Sequence, residues 1–407
     1  MTLSRPFRSL RSRNFRLYIV GQAISRSGTW VQLIAENWLV LQLGGGGIAV
    51  GVTTALYFAP LLVFGPYGGS LVDRSDKRGL LTMTQITNGL LALALGALVL
   101  GGLVQIWMIW SAAFLTGCVN SLDNPGGQAL TKQLCDVSDV ANATALGTAV
   151  TGGARAIGPA IGGFVLATGG PAACFLLNAA SYGAVAAALR MMRGDQLVAM
   201  RPAAASSGSL GEGFRYVLAN RGLWTVLLIV AIVNTFGMNY QVLLTVLVAR
   251  AFHLGPASYG VTMSALGIGW LIGSVLAANW NDPTARCVGI WAGAIGAGCA
   301  AVAAAPTFAI TVAAVAAMGV VTGLFVSSSA GYLQVLAPDD MRGRVMALYF
   351  MAFLGVSLIG GPLMGWVAEA LGPRAAFLLA ALPCAASTRL AFYRAPLAAA
   401  SPVRVHT

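Results

Sequence analysis

The chain has 407 residues, of which 57% are hydrophobic and only 9% charged, and its mean hydropathy is +0.79. A soluble chain carries about 25% charged residues, so a string of soluble domains or a soluble enzyme is excluded and the chain belongs in lipid. The net charge of +12 would suit nucleic acid, but its placement along the chain argues for membrane topology and for attraction to anionic lipid.

A membrane-crossing helix takes about 20 apolar residues. Such stretches predict twelve spans, at 16–42, 48–72, 79–101, 106–130, 143–168, 172–192, 222–248, 258–279, 286–305, 307–332, 344–369 and 374–394. Long apolar runs such as 223–232 exclude the strict alternation of a membrane barrel. The first span, followed by eleven more, is expected to be a retained helix and not a cleaved signal peptide. Glycine accounts for 51 residues. Pairs spaced by four recur at Gly65/Gly69, Gly158/Gly162, Gly269/Gly273, Gly289/Gly293, Gly319/Gly323 and Gly361/Gly365, which predicts close helix crossings.

Polar groups inside spans are costly and mark function or helix pairing. In the first span Gln22, Ser25, Thr29, Gln32 and Glu36 recur at steps of three and four, so they share one helical face, flanked by Arg26. Arg26 and Glu36 are ten residues, about 15 Å, apart and are not expected to pair directly. Two roles fit Glu36: a proton carrier, or a solvated acid at the interface. The fifth span carries Thr148, Thr151, Arg155, Gly158 and Gly162. Arg155 either binds an anionic substrate group, neutralises a carboxylate or is satisfied by backbone carbonyls. The seventh span carries Asn234, Asn239, Gln241 and Thr245, amides and a hydroxyl suited to a polar solute or to joining helices.

Basic residues cluster in alternate connections: Arg5, Arg8, Arg11, Arg13 and Arg16 before the first span, Arg74, Lys77 and Arg78 after the second, Arg190, Arg193, Arg201, Arg215 and Arg221 in the centre, and Arg389, Arg394 and Arg404 at the far end. The connections between them are nearly bare, beginning with Gly44–Gly47. This positive-inside pattern places both termini and the central connection in the cytoplasm. Gly158-Pro159-Ala160-Ile161-Gly162 is followed by Gly170-Pro171, and half a chain later Gly361-Pro362-Leu363-Met364-Gly365 is followed by Gly372-Pro373. The repeat divides the chain into a six-helix bundle at 1–192, a cytoplasmic linker at 193–221 with a short interfacial helix at 210–221, and a second six-helix bundle at 222–407.

The two lysines, Lys77 and Lys132, fit no phosphate-binding loop, so ATP hydrolysis on this chain is excluded. No nucleophile elbow or zinc-protease motif is present, and no enzyme activity, metal or cofactor is expected. The six cysteines lack metal-ligand spacing.

Gly69-Ser70-Leu71-Val72-Asp73-Arg74-Ser75-Asp76-Lys77-Arg78 resembles the loop 2–3 signature of the major facilitator superfamily, with Asp76 where glycine is usual. The resemblance implies an all-α membrane protein of twelve helices in two pseudo-symmetric bundles, with a cytoplasmic gate at Gly69, Asp73, Arg74, Lys77, Arg78 and Asp123. Gly158-Pro159-Ala160-Ile161-Gly162-Gly163 is similar to the helix 5 motif of antiporter members. Asn14-Phe15-Arg16, Gly21-Gln22, Trp38-Leu39-Val40-Leu41-Gln42-Leu43, Asp123-Asn124-Pro125 and Pro338-Asp339-Asp340-Met341-Arg342-Gly343-Arg344-Val345 resemble the transmembrane secretion effector branch, which includes the enterobactin exporter and macrolide efflux proteins. The arginine that many drug/proton antiporters carry in helix 4 is absent from 106–130, so Arg26 or Arg155 takes that role or the coupling differs. The resemblance implies a monomeric bacterial exporter of a small molecule coupled to protons, with helices 1, 4, 7 and 10 lining the cavity and Gln22, Arg26, Thr29, Gln32, Glu36, Arg155, Asn234 and Gln241 along the pathway. A nutrient importer of the same fold and a non-transporting sensor or scaffold are the alternatives.

Overall fold

The computed structural model describes residues 7–196, 210–279 and 283–394, and helices make up nearly all of them. The long helices are α1 (Arg13–Gln42), α2 (Gly47–Arg74), α3 (Lys77–Leu100), α4 (Ile106–Gln133), α5 (140–169), α6 (171–190), α7 (Arg221–Ala251), α8 (Pro256–Ala277), α9 (Ala285–Ala304), α10 (Phe308–Leu336), α11 (Asp339–Ala370) and α12 (Pro373–Arg394). Among the described residues nine segments are long and apolar enough to cross a membrane, and one of them, Val140–Arg190, holds both α5 and α6. The more polar α1 and α4 complete the twelve spans read from the sequence.

Local chemistry explains where these helices start and stop. Ser12 accepts the Phe15 N–H at the start of α1, Asp76 accepts the Gly79 N–H at the start of α3, and Thr284 and Thr307 cap α9 and α10. Asp76 therefore serves as a helix cap where the family signature has glycine. The two halves of the sequence repeat also share their turn geometry. Gly170 (φ 74°) and Gly372 (φ 89°) both adopt the left-handed conformation that glycine tolerates, and each is followed by a proline that opens the next helix.

Because α1 begins at the Arg-rich terminus and successive spans alternate in direction, one end of the molecule collects the basic connections. The other end carries the bare ones; we call them the basic end and the bare end. α1 packs along α5 and α6, α3 along α6, α2 along α4, α9 along α12, and α8 along α10. Two crossings join the first six helices to the last six: α5 on α8, and α2 on α11.

Glycine lets these crossings close to backbone contact. A Cβ on Gly260 of α8 would stand 2.8 Å from the Cα of Gly163 and closer still to the Pro159 carbonyl. The Ser264 hydroxyl accepts the Ala160 N–H at 2.8 Å beside Pro159. On the other crossing Gly47 and Gly51 of α2 meet the Gly365 and Gly361 carbonyls of α11, and the Glu369 carboxylate receives the Ile48 N–H at 3.4 Å. Both Gly-Pro pentapeptides thus lie at the junction of the two groups, nearer the bare end.

Gly158/Gly162 also take Trp30 and Val31 of α1, Gly269/Gly273 interleave with Gly319/Gly323, and Gly289/Gly293 receive Thr388 and Ala391. Gly65/Gly69 behave differently, since neither has a neighbour within 4 Å where its Cβ would stand. That pair makes no close crossing in this structure, because α2 has no partner helix against this face near the basic end.

α7 is not one regular helix. It runs over Arg221–Phe236, breaks, resumes at Tyr240–Val246 and ends in a π-turn at Leu247–Ala251. Of the central connection, 197–209 lies outside the described residues. Leu210–Ala219 forms a helix held to α11 by an ion pair of Glu212 with Arg344 at 3.0 Å.

Overpacking a close crossing costs about 1–3 kcal/mol, so Gly260→Val is expected to lower the thermal stability of the purified protein by that order. Gly183→Ala, at a helical site with nothing within 4 Å, serves as the comparison and should leave it unchanged or slightly raised. Equal unfolding temperatures for Gly260→Val and wild type would contradict the contact.

Candidate functional site

A cavity of about 630 Å³ lies between α1, α4, α5 and α8, within the size range of small-molecule sites. Exposed Lys132 and Thr144 stand toward its basic-end mouth, and Arg155 and Trp270 form its inner wall. Beyond them, toward the bare end, the α5–α8 crossing closes the space. A polar tie runs across the same level: Asn37 donates to the Tyr259 hydroxyl at 3.3 Å, and that hydroxyl donates to the Gln241 carbonyl at 3.3 Å. The structure is therefore open at the basic end and shut at the bare end.

The polar face of α1 divides into two parts. Gln22 and Arg26 line the cavity, with the Arg26 Nε donating to Gln22 Oε1 at 3.2 Å. Thr29, Gln32 and Glu36 turn instead into the interior of the first six helices. Thr29 meets the Tyr182 hydroxyl at 3.3 Å, Gln32 donates to Glu36 Oε1 at 2.8 Å, and Asn178 of α6 donates to Gln32 Oε1 at 2.6 Å. Glu36 is buried and has no ion-pair partner among the described residues.

Arg155 lies against two indoles. Its guanidinium carbon lies 3.5 Å from the Trp270 ring centroid and 5.4 Å from that of Trp30, a cation–π arrangement that joins α5 to α8 and α1. Gly158, Pro159, Gly162 and Gly163 form the crossing described above. Asn234 and Gln241 lie at the α7 break, away from the cavity. Asn234 donates to the Val230 carbonyl, and Asn239 donates to the Asn234 and Thr235 carbonyls freed where the helix stops. α7 and α10 contribute no residue to the cavity wall; α5 and α8 do.

At the basic end Asp73 and Arg74 are exposed and Gly69 faces open space. Lys77 donates to the Asp73 and Ser75 backbone carbonyls at 2.8 and 3.0 Å, and Arg78 donates to the Arg190 carbonyl at 2.7 Å. Asp123 lies apart from them, buried on α4. Its Oδ1 accepts from the Thr84 hydroxyl at 2.6 Å and the Gln85 amide at 2.8 Å. One turn away Asn88 donates to Asn120 Oδ1 at 3.3 Å, and Asn120 donates to the Tyr57 hydroxyl at 3.0 Å.

These α3 residues, and Asn178, Ser181 and Tyr182 on α6, were missing from the sequence reading. A signal for the first group existed. Gln85 and Asn88 are three apart, as are Asn120 and Asp123, and two antiparallel helices bring such pairs into opposite register as rungs of a ladder.

A family model described as transmembrane secretion effector matches residues 4–403. The chain belongs to this family of major facilitator transporters. It is 27% identical over 255 residues to the staphyloferrin A transporter of Staphylococcus aureus, covering 61% of this chain and 63% of that protein. It is 27% identical over 369 residues to the multidrug efflux pump Tap of Mycolicibacterium fortuitum, covering 88% of this chain and 90% of the pump. A solved POT family transporter shares the fold with a TM-score of 0.76 at 12% identity, covering 95% of this chain and 96% of that one. The apolar spans and the family together make this a multi-pass membrane transporter.

Removing the Asp123 carboxylate without replacing its acceptor strands the buried Gln85 amide at roughly 1–3 kcal/mol, while the Thr84 hydroxyl keeps the Leu81 carbonyl at 2.9 Å. Asp123→Leu is therefore expected to unfold at markedly lower temperature than Asp123→Asn, which keeps one acceptor oxygen. Equal stability of the two variants would contradict the ladder.

Proposed function

We propose that this transporter is an exporter in a bacterial cytoplasmic membrane, moving an amphiphilic small molecule outward against proton influx by alternating access. The observation that carries the proposal is the one-sided cavity, open at the basic end and shut at the bare end by the two glycine crossings. The positive-inside pattern assigns the basic end, with both termini, to the cytoplasm, so the cavity faces the compartment from which an exporter loads. The relatives include the multidrug efflux pump Tap, which supports efflux over nutrient import.

The chain acts as a monomer of two six-helix bundles, 1–192 and 222–407, that rock about the central connection at 193–221. Small residues at α5–α8 and α2–α11 supply the sliding surfaces. After loading, the basic end closes, and Asp73, Arg74, Lys77 and Arg78 at the α2–α3 turn, with Gly69 and Asp123 behind them, form the cytoplasmic gate. Asp73 stands exposed at the open end, free to engage the second bundle when the two approach. Glu36 is the proton carrier in this scheme. It is the acid that lies deep in a span with only an amide donor beside it, and α1 connects it to the cavity through the face that carries Gln22 and Arg26.

The test is retention of fluorescent dyes, anionic, neutral and cationic, in cells expressing the protein. Export coupled to protons predicts that a protonophore raises the retained amount of at least one dye, that Glu36→Gln abolishes the energised efflux, and that Asp73→Asn slows it without loss of folded protein. A protonophore that lowers retention would establish import. Retention that never depends on the protein would establish a sensor or scaffold.

A further inference from the structure

The charge of the cavity wall is one-sided. Arg26, Lys132 and Arg155 line it, and no acidic side chain does so among the described residues. The two acids buried within the first six helices are held elsewhere: Asp123 by Thr84 and Gln85 on α3, and Glu36 by Gln32. Three cations facing one partly enclosed space repel one another, and the low-dielectric walls strengthen that repulsion. A bound anion relieves it.

The way Arg155 is held fits the same conclusion. Its guanidinium lies over the Trp270 ring, with the Trp30 ring farther off. A cation–π contact engages the charge and spends no N–H group, so the guanidinium keeps the donors that can grip a carboxylate through two hydrogen bonds. The indoles hold the guanidinium at the cavity wall before any ligand arrives, which reduces the entropy lost on binding.

The α5 and α4 walls define the rest of the ligand. Thr144, Thr148, Thr151 and Thr131 line the cavity, and each spends its hydroxyl proton on the carbonyl four residues earlier, at 2.8, 3.0, 3.0 and 2.8 Å. Their oxygens are left with lone pairs, so they accept and do not donate. Phe15, Ile19 and Leu271 supply apolar surface between these polar rows.

We infer that the substrate is a carboxylate-bearing amphiphile: an organic anion with an apolar or aromatic body and hydroxyl or amide donors, its carboxylate held by Arg155 and Arg26. This rests on the transporter reading of the same cavity and adds the charge of the cargo.

The test is calorimetric titration of the purified full chain in lipid nanodiscs with three probes that share one body: 1-naphthylacetate, 1-naphthylacetamide and 1-naphthylmethylammonium. The acetate is expected to bind about tenfold or more tightly than either of the others, the order of one charge-assisted bidentate contact. Arg155→Gln and Arg26→Gln should each remove most of that preference, lowering the acetate affinity far more than the amide affinity. Arg155→Lys, which keeps the charge and loses the fork, should fall between. If Arg155→Gln does not fold, the wild-type probe series and Arg26→Gln carry the test. Equal or tighter binding of the amide or ammonium probe, failure of the acetate to bind, or an acetate affinity untouched by either glutamine substitution would overturn the inference. An ammonium-preferring protein that still shows energised dye efflux would refute the anion and leave export standing. An anion-preferring protein with no energised efflux would do the reverse.

Discussion

Two helix crossings, α5 on α8 and α2 on α11, hold the first six helices to the last six, and both depend on the absence of side chains. Lipid gives no hydrophobic reward for bringing apolar helices together, so association rests on van der Waals contact and a few hydrogen bonds. Gly163 against Gly260, Gly47 against Gly365 and Gly51 against Gly361 bring backbone onto backbone. Each crossing adds one polar contact, Ala160 to Ser264 and Ile48 to Glu369. Because these contacts sit nearer the bare end, the helices diverge toward the basic end and leave the cavity between α1, α4, α5 and α8. The same Gly-Pro pentapeptide serves both crossings, once on α5 and once on α11, which gives the sequence repeat a mechanical meaning.

The polar groups of the first six helices fall into two sets with different physical roles. One bonds within the helices: Glu36, Gln32, Asn178 and Ser181 form a chain from α1 into α6, and the Gln85–Asp123 and Asn88–Asn120 rungs join α3 to α4. Such hydrogen bonds between helices fix their register in a medium where an unpaired polar atom is costly. The other set, Gln22, Arg26, Arg155 and the α5 threonines, faces the cavity with bonding capacity to spare. The division explains how a stripe that is continuous along α1 is partly structural and partly available to a ligand.

Much of this was readable from the chain alone, because span length, basic-loop placement and glycine spacing each report one local property. All twelve spans, the turns at Gly170 and Gly372, and five of six glycine pairs follow from such properties. What did not follow depends on partners distant in sequence. Gly65/Gly69 carry the same spacing as the other pairs but face no helix. Asn234 and Gln241 have the composition of a solute site, yet they sit at a break in α7 whose free carbonyls are taken up by Asn239. Arg155 stands out as a charge inside an apolar stretch, but its contacts with Trp30 and Trp270 require three helices to converge. The α3–α4 ladder lay within reach of sequence reasoning, since matched three-residue spacings on consecutive antiparallel helices predict it.

If the bare-end crossings and the basic-end opening are two ends of one rocking motion, their distances must change in opposite directions. Spin labels at Leu43 and Leu371 report the bare end, and labels at Leu71 and Asp340 report the basic end, in a chain whose native cysteines have been replaced by serine. Pulsed electron–electron resonance in lipid nanodiscs should show a short bare-end distance with a long basic-end distance, and a second population with the order reversed when substrate or a pH gradient drives turnover. A bare-end distance that stays short in every condition under which transport proceeds would contradict the mechanism.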